Sequence, residues 1–190
     1  KSDDASRIDW KCLYKSCELY QIMLRTLFDT NIYGRLIEEE KANEIRQKIL
    51  EDKEFLVYGF SPIRKELRDT PKTEKLGMLS KRNLILSLYD ELTEGRYLQD
   101  SIEINRLALK FYNSYKEFGG IKNLKKSNVD VDFTIVACAS FYKLDVVVSD
   151  DQKTLLSKPA MKAYKHICVK EGRWQPNFWK YSDLKMKFNF

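Results

Sequence analysis

A chain of 190 residues is long enough for one domain with a full core, and 43% hydrophobic with 13% aromatic residues argues for a globular protein. No apolar run reaches the roughly 20 residues of a membrane span, and the opening Lys1-Ser2-Asp3-Asp4 is too polar for a signal peptide. A net charge of +6 and a pI near 9.0 favour a polyanionic partner such as nucleic acid.

Cys12, Cys17, Cys138 and Cys168 fit no zinc spacing, and His166 is the single histidine. Cys138 and Cys168 sit among apolar residues and read as buried thiols, whereas Cys12 and Cys17 could bridge only off a regular helix. This usage suits a reducing, cytoplasmic setting.

Trp10, Leu13, Tyr14, Cys17 and Tyr20 recur at helical spacing behind Asp9, a candidate N-cap, and predict an N-terminal helical extension over 1–22. The domain proper is then 23–190. Leu24 to Phe28 reads as a buried strand running into Asp29-Thr30-Asn31, a carboxylate, a hydroxyl and an amide. A helical face follows in Leu36, Ile37, Ile45 and Ile49, with Glu38-Glu39-Glu40 on its solvated side. Phe55 to Tyr58 is a second buried strand, and Ser61-Pro62 starts a helix that carries Glu66 within about a turn.

Residues 71–120 read as largely helical, with Leu84, Ile85, Leu88 and Leu92 on one face. Leu98, Ile102, Leu107, Phe111, Tyr115 and Phe118 form the next, which stops at Gly119-Gly120. These faces pack on the core or on a twofold partner. Lys122, Lys125 and Lys126 make a basic linker, solvated or phosphate-contacting. Asp130-Val131-Asp132 opens a helix, and Val146 to Ser149 is a strand ending in Asp150-Asp151. A short helix broken by Pro159 and a last strand, Ile167 to Val169, precede an aromatic tail over about 171–190 that folds back on the domain. His166, at the start of that strand, reads as structural. Strands alternating with helices imply a mostly parallel sheet covered on both faces, a three-layer α/β/α sandwich. Neither a dinucleotide fingerprint nor a phosphate-binding P-loop is present.

Acids thus recur at element boundaries, and ligand sites of open α/β sheets lie at the carboxyl ends of strands. With its acids in this order the chain resembles the PIN-domain (PilT N-terminus) ribonucleases, the family that includes the VapC-type toxins. The resemblance rests on Leu27-Phe28-Asp29-Thr30-Asn31, on Ser61 to Leu67 with Glu66, on Asp132 to Ala139, and on Val146 to Asp151, where Ser149 replaces the family's threonine. It covers roughly 23–170. The chain departs from the family in its N-terminal extension, a helical insertion near 75–118 and the aromatic tail.

The resemblance implies Mg²⁺- or Mn²⁺-dependent hydrolysis of RNA phosphodiester bonds, by a toxin of a toxin–antitoxin pair or an RNA-processing nuclease. Asp29, Glu66, Asp132 and Asp151 would be the catalytic, metal-holding acids, with Asp130 a neighbour competing with Asp132 for the third place, Asp150 with Asp151 for the fourth, and Asn31 and Ser149 in support. It also implies an antitoxin-like protein partner and a homodimer. Clustered carboxylates raise one another's pKa unless a cation neutralises them, and all-oxygen ligands suit Mg²⁺ or Mn²⁺ rather than zinc. Two rivals are a PIN-like module that binds RNA or protein without cutting and a phosphatase of the haloacid dehalogenase type. The latter's aspartate is followed two residues on by a second acid, where Asn31 stands here.

Overall fold

A computed structural model of the chain describes residues 23–121 and 126–190, except the side chains of 126–130. The N-terminal extension, with Cys12 and Cys17, and the side chains of Lys122, Lys125, Lys126 and Asp130 lie outside the described residues.

The centre is a five-stranded sheet in the order β5-β2-β1-β6-β7, in which every pairing is parallel. The strands are β1 (Leu24–Phe28), β2 (Phe55–Phe60), β5 (Tyr97–Leu98), β6 (Val146–Val148) and β7 (Asn177–Trp179). Among the described residues eight helices flank the sheet, which makes the fold an α/β/α sandwich. They are α1 (Thr30–Glu38), α2 (Ala42–Glu51), α3 (Ser61–Asp69), α4 (Lys81–Thr93), α5 (Ile102–Glu117), α6 (Lys126–Phe141), α7 (Lys158–Glu171) and α8 (Tyr181–Phe188). A hairpin of β3 (Lys75–Leu76) and β4 (Leu79–Ser80) stands apart from the sheet. Among the described residues no helix is long and apolar enough to cross a membrane.

Val146, Val147 and Val148 are all buried, as a central parallel strand covered on both faces requires. β1 pairs on one side with β2 and on the other with β6, in a register that puts Phe28 beside Val148. At the opposite end of the pair, Asp145 fixes that register: its Oδ2 accepts from Arg25 N (2.8 Å) and Arg25 Nε (3.1 Å). From β1 the chain moves outward to β2 and β5, then crosses back to β6 and β7. The carboxyl ends of β1 and β6 therefore lie at the point where the order reverses.

The last strand departs from expectation. Ile167 to Val169 is not a strand but the last part of α7, and Pro159 sits in that helix's first turn instead of breaking it. Ser157 Oγ accepts from Ala160 N, Gly172 ends the helix in the left-handed conformation, and Ala160, Ala163, Tyr164, Ile167 and Cys168 form its buried stripe. Three apolar residues at its end looked like a strand because the helical period only shows from further upstream. The fifth strand comes from the tail, with Asn177–Trp179 pairing β6 before α8 packs back, Tyr181, Leu184 and Phe188 buried. His166 is therefore helical, with its ring edge-on to Phe118 at 5.7 Å.

The stretch 71–120 is likewise not helical throughout, since the β3–β4 hairpin and β5 lie within it. Phe111 and Tyr115 pack inside the chain, Phe111 meeting Tyr164 at 5.1 Å and Tyr115 meeting Phe133 at 5.2 Å, whereas Ile102 and Phe118 of the expected face are exposed. The single helix expected after Asn31 is the pair α1 and α2. Asp132 lies within α6 instead of at its start, because that helix begins at Lys126. Cys138 and Cys168 are buried free thiols.

β5 reaches the sheet edge only because residue 59 has no side chain. A Cβ built on Gly59 would stand 2.5 Å from the Tyr97 ring and 2.8 Å from the Tyr89 hydroxyl, which bonds the backbone of Phe60. Gly59→Ala is expected to cost about 1–3 kcal/mol, as overpacking does, read as a lower denaturant midpoint at unchanged slope.

Candidate active site

Asp29 follows β1 and caps α1, so its carboxylate meets the helix's free N–H groups. Oδ1 accepts from Thr30 N (2.7 Å), while Oδ2 accepts from Ser149 Oγ (2.6 Å) and from Asn31 Nδ2. The residue is 3% exposed. Ser149, fully buried at the end of β6, is within reach because Phe28 and Val148 are register partners. Its Oγ also accepts from Asp151 N (3.0 Å), and Asn31 Oδ1 accepts from Asp150 N (3.2 Å). Asn31 and Ser149 thereby tie the two strand ends together.

The adjacent acids then part company. Asp150 turns toward α1 and the tail, pairing with Arg35 Nε at 2.9 Å and accepting from Tyr181 N at 3.0 Å. Asp151 turns the other way. It accepts from Lys153 N (2.8 Å), Thr154 N (3.1 Å), Leu155 N (3.3 Å) and the Thr154 hydroxyl. Burial works against its charge, but these donors hold its carboxyl below the usual carboxylate range.

Asp29, Glu66, Asp132 and Asp151 feel one another electrostatically. Burial first, then Asp29, Asp151 and Glu66, push Asp132 from 3.8 up to about 8, against a bond from the Thr154 hydroxyl. Glu66, on the exposed side of α3, is pushed up to about 7 by partial burial, then by Asp29 and Asp69, against a bond from Thr30. Burial and Asp151 raise Asp29, opposed by Ser149 and Thr30. Because Glu66 is exposed, water screens its neighbours, whereas Asp132 is more deeply buried. Thr30 and Thr154 thus bridge pairs of acids, Asp29 with Glu66 and Asp132 with Asp151. Sequence reasoning gave neither threonine a role at the site. Asp151 followed three residues later by Thr154 was the local signal of a capped turn.

Beneath the acids lies a further residue that the sequence did not single out. The Tyr164 hydroxyl is fully buried, without a hydrogen-bond partner among the described residues. Burial and then Asp132, Asp151 and Asp29 drive its pKa well above the ordinary value. An unsatisfied buried hydroxyl costs about 1–3 kcal/mol, and a water or hydrated cation among the acids would relieve it. The oxygen-only donor set with this orphaned hydroxyl fits a hard divalent cation. The spacing is looser, since among the described residues no three His, Cys, Asp or Glu side chains form a group able to hold an ion as they stand. Like charges with no counter-ion between them repel, which favours separation and protonation.

No protein-family model matches this chain, and no curated protein matches it either.

The cation-free chain should therefore lose stability as pH rises. Between pH 4 and about 8 the folded state keeps a proton on Asp132 that the unfolded chain has released, so stability falls across that window. Asp132→Asn is expected to recover about 2 kcal/mol at pH 8 in chelator and little at pH 4, read from unfolding midpoints across the window.

Proposed function

We propose that this chain is a PIN-like, Mg²⁺- or Mn²⁺-dependent ribonuclease that hydrolyses phosphodiester bonds at Asp29, Glu66, Asp132 and Asp151. The observation that carries the reading is the electrostatic coupling of these four acids, which come from four separate segments, at the topological switch point of a parallel sheet. The PIN resemblance of the sequence names the same four in the same order.

When bound, a divalent cation supplies the charge that offsets the carboxylates and the phosphate. The chain's own groups do the rest. Ser149, Asn31 and Thr30 fix both oxygens of Asp29, so that this carboxylate cannot rotate away from the cluster. Thr154 and the 153–155 backbone aim Asp151 and keep it ionised. Glu66 is the most exposed of the four and faces the open cleft by which a substrate arrives. Asp150, held by Arg35 and Tyr181, anchors the loop that presents Asp151.

The second reading is a PIN-like module that binds RNA without cutting. It is favoured by the absence of a ready ion-holding trio among the described residues.

Cleavage of a labelled RNA in Mn²⁺ decides between them. Asp29→Asn is expected to slow cleavage at least about 100-fold, the scale on which removal of a key electrostatic group acts, and chelator should abolish it. Cutting that survives in chelator, or at the wild-type rate in the variant, would sink the nuclease reading. Tyr164→Phe should leave the chelated chain at least as stable, because it removes an unsatisfied hydroxyl. It should also reduce the rise in melting temperature that Mn²⁺ produces.

A further inference from the structure

Glu66 and Asp69 stand between two clefts, and the cations on the two sides are not equivalent. One cleft, of about 760 Å³, runs along α3 past Arg64, Lys65 and Arg68 to Val131 of α6. The other, of about 380 Å³, lies toward Thr30, Glu74 and Lys81.

On the smaller side Lys81 is already paired, with Glu38 at 2.8 Å and Glu74 at 3.8 Å. On the larger side Arg64 is held by both oxygens of Asp90, at 2.9 and 2.8 Å. Lys65 and Arg68 are different. Both are exposed, and neither side chain has a hydrogen bond or ion pair among the described residues. Lys65 does not close on Asp69, although the two are four apart on one helix, a spacing that brings such pairs together.

Residues three apart on a helix are neighbours, with Cβ atoms about 5–6 Å apart. Lys65 and Arg68 therefore form a two-cation edge on the same helix as Glu66. Asp100 also lines the larger cleft, so three cations there face three acids, Glu66, Asp69 and Asp100, whereas the smaller cleft sets the neutralised Lys81 against Glu66, Asp69 and Glu74, which leaves a polyanion unheld.

We infer that a single-stranded RNA reaches the acids along the α3–α6 cleft, its phosphates held by Lys65 and Arg68, and not through the cleft beside Lys81. This rests on the nuclease reading for the choice of ligand, but on the disposition of paired and unpaired cations for the side of entry. Lys65 and Arg68 are substrate-positioning residues in this scheme. They hold the strand and leave the reacting bond to the carboxylates.

The test is fluorescence anisotropy of a labelled single-stranded oligoribonucleotide in chelator, titrated at several salt concentrations. The chains compared are the wild type, the double variant Lys65→Ala/Arg68→Ala, and Lys81→Ala. Each phosphate contact on a single strand contributes about 0.7 to the slope of log K against log salt. The double variant is therefore expected to bind at least about tenfold more weakly and to lose about 1.4 of that slope, with Lys81→Ala unchanged. Both residues are on an exposed face, so unfolding midpoints should match the wild type. A double variant that binds like the wild type, a Lys81→Ala that loses as much, or a wild-type chain that binds no RNA overturns the inference. RNA that is bound with the expected slope yet not cut in Mn²⁺ overturns the nuclease reading and supports this one. Wild-type KM in the double variant does the reverse.

Discussion

Acids collected at the carboxyl end of a parallel sheet are the constraint on which the rest of this structure depends. Asp29 is almost wholly buried, yet it keeps an acid's position because Thr30, Asn31 and Ser149 all donate to it. Burying a carboxylate without such donors is expensive. The Asp29 pKa is raised all the same, and burial first, with the neighbouring acids second, holds protons on Asp132 up to about 8 and on Glu66 up to about 7. The chain folds around a cluster that repels itself, an arrangement that makes sense where a cation or a proton completes it.

The scaffold explains how the cluster is held. Parallel pairing of β1 with β6 puts Phe28 beside Val148, and the next residue of each strand, Asp29 and Ser149, then meet through one hydrogen bond. Beyond β6 the chain gives two adjacent acids different partners. Asp150 fastens the loop to α1 and the tail, and Asp151 is turned by the 153–155 backbone toward the cluster. The tail matters to the site for this reason: β7 completes the sheet beside β6, and the Tyr181 amide holds Asp150. Tyr181 and Lys185 also fasten Glu39, so that α8 grips the far end of α1.

Much of this was legible in local pattern. The runs Leu24 to Phe28, Phe55 to Tyr58 and Val146 to Val148 are short, apolar and bounded by polar residues, so they read as buried strands and are strands. A helix does start at Ser61-Pro62, with Pro62 in its first turn, but Ser61 is not the cap it was read as: Phe60 is the N-cap and no side chain caps the helix. The misreadings came where short-range pattern was ambiguous. Ile167-Cys168-Val169 is apolar enough for a strand, but Ala160, Ala163 and Tyr164 upstream set a helical period that continues through it. Asn177 to Trp179 was passed over because an edge strand of three residues, only partly buried, carries almost no alternation.

The sequence by itself determined the fold class, the order of the acids and the presence of donors beside Asp29. Those follow from hydrophobic period and from residue chemistry, which act over a few positions. Tertiary structure alone decided which of Asp150 and Asp151 faces the cluster, because a strand's end fixes the backbone but not the direction in which the next two side chains turn. It alone set the orphaned hydroxyl of Tyr164 beneath the acids, through a helix more than a hundred residues from Asp29. It alone separated the neutralised cations, Arg64 and Lys81, from Lys65 and Arg68, which have no ion pair among the described residues. Ion pairing depends on which distant acid arrives within about 4 Å, and no spacing along one chain can state that.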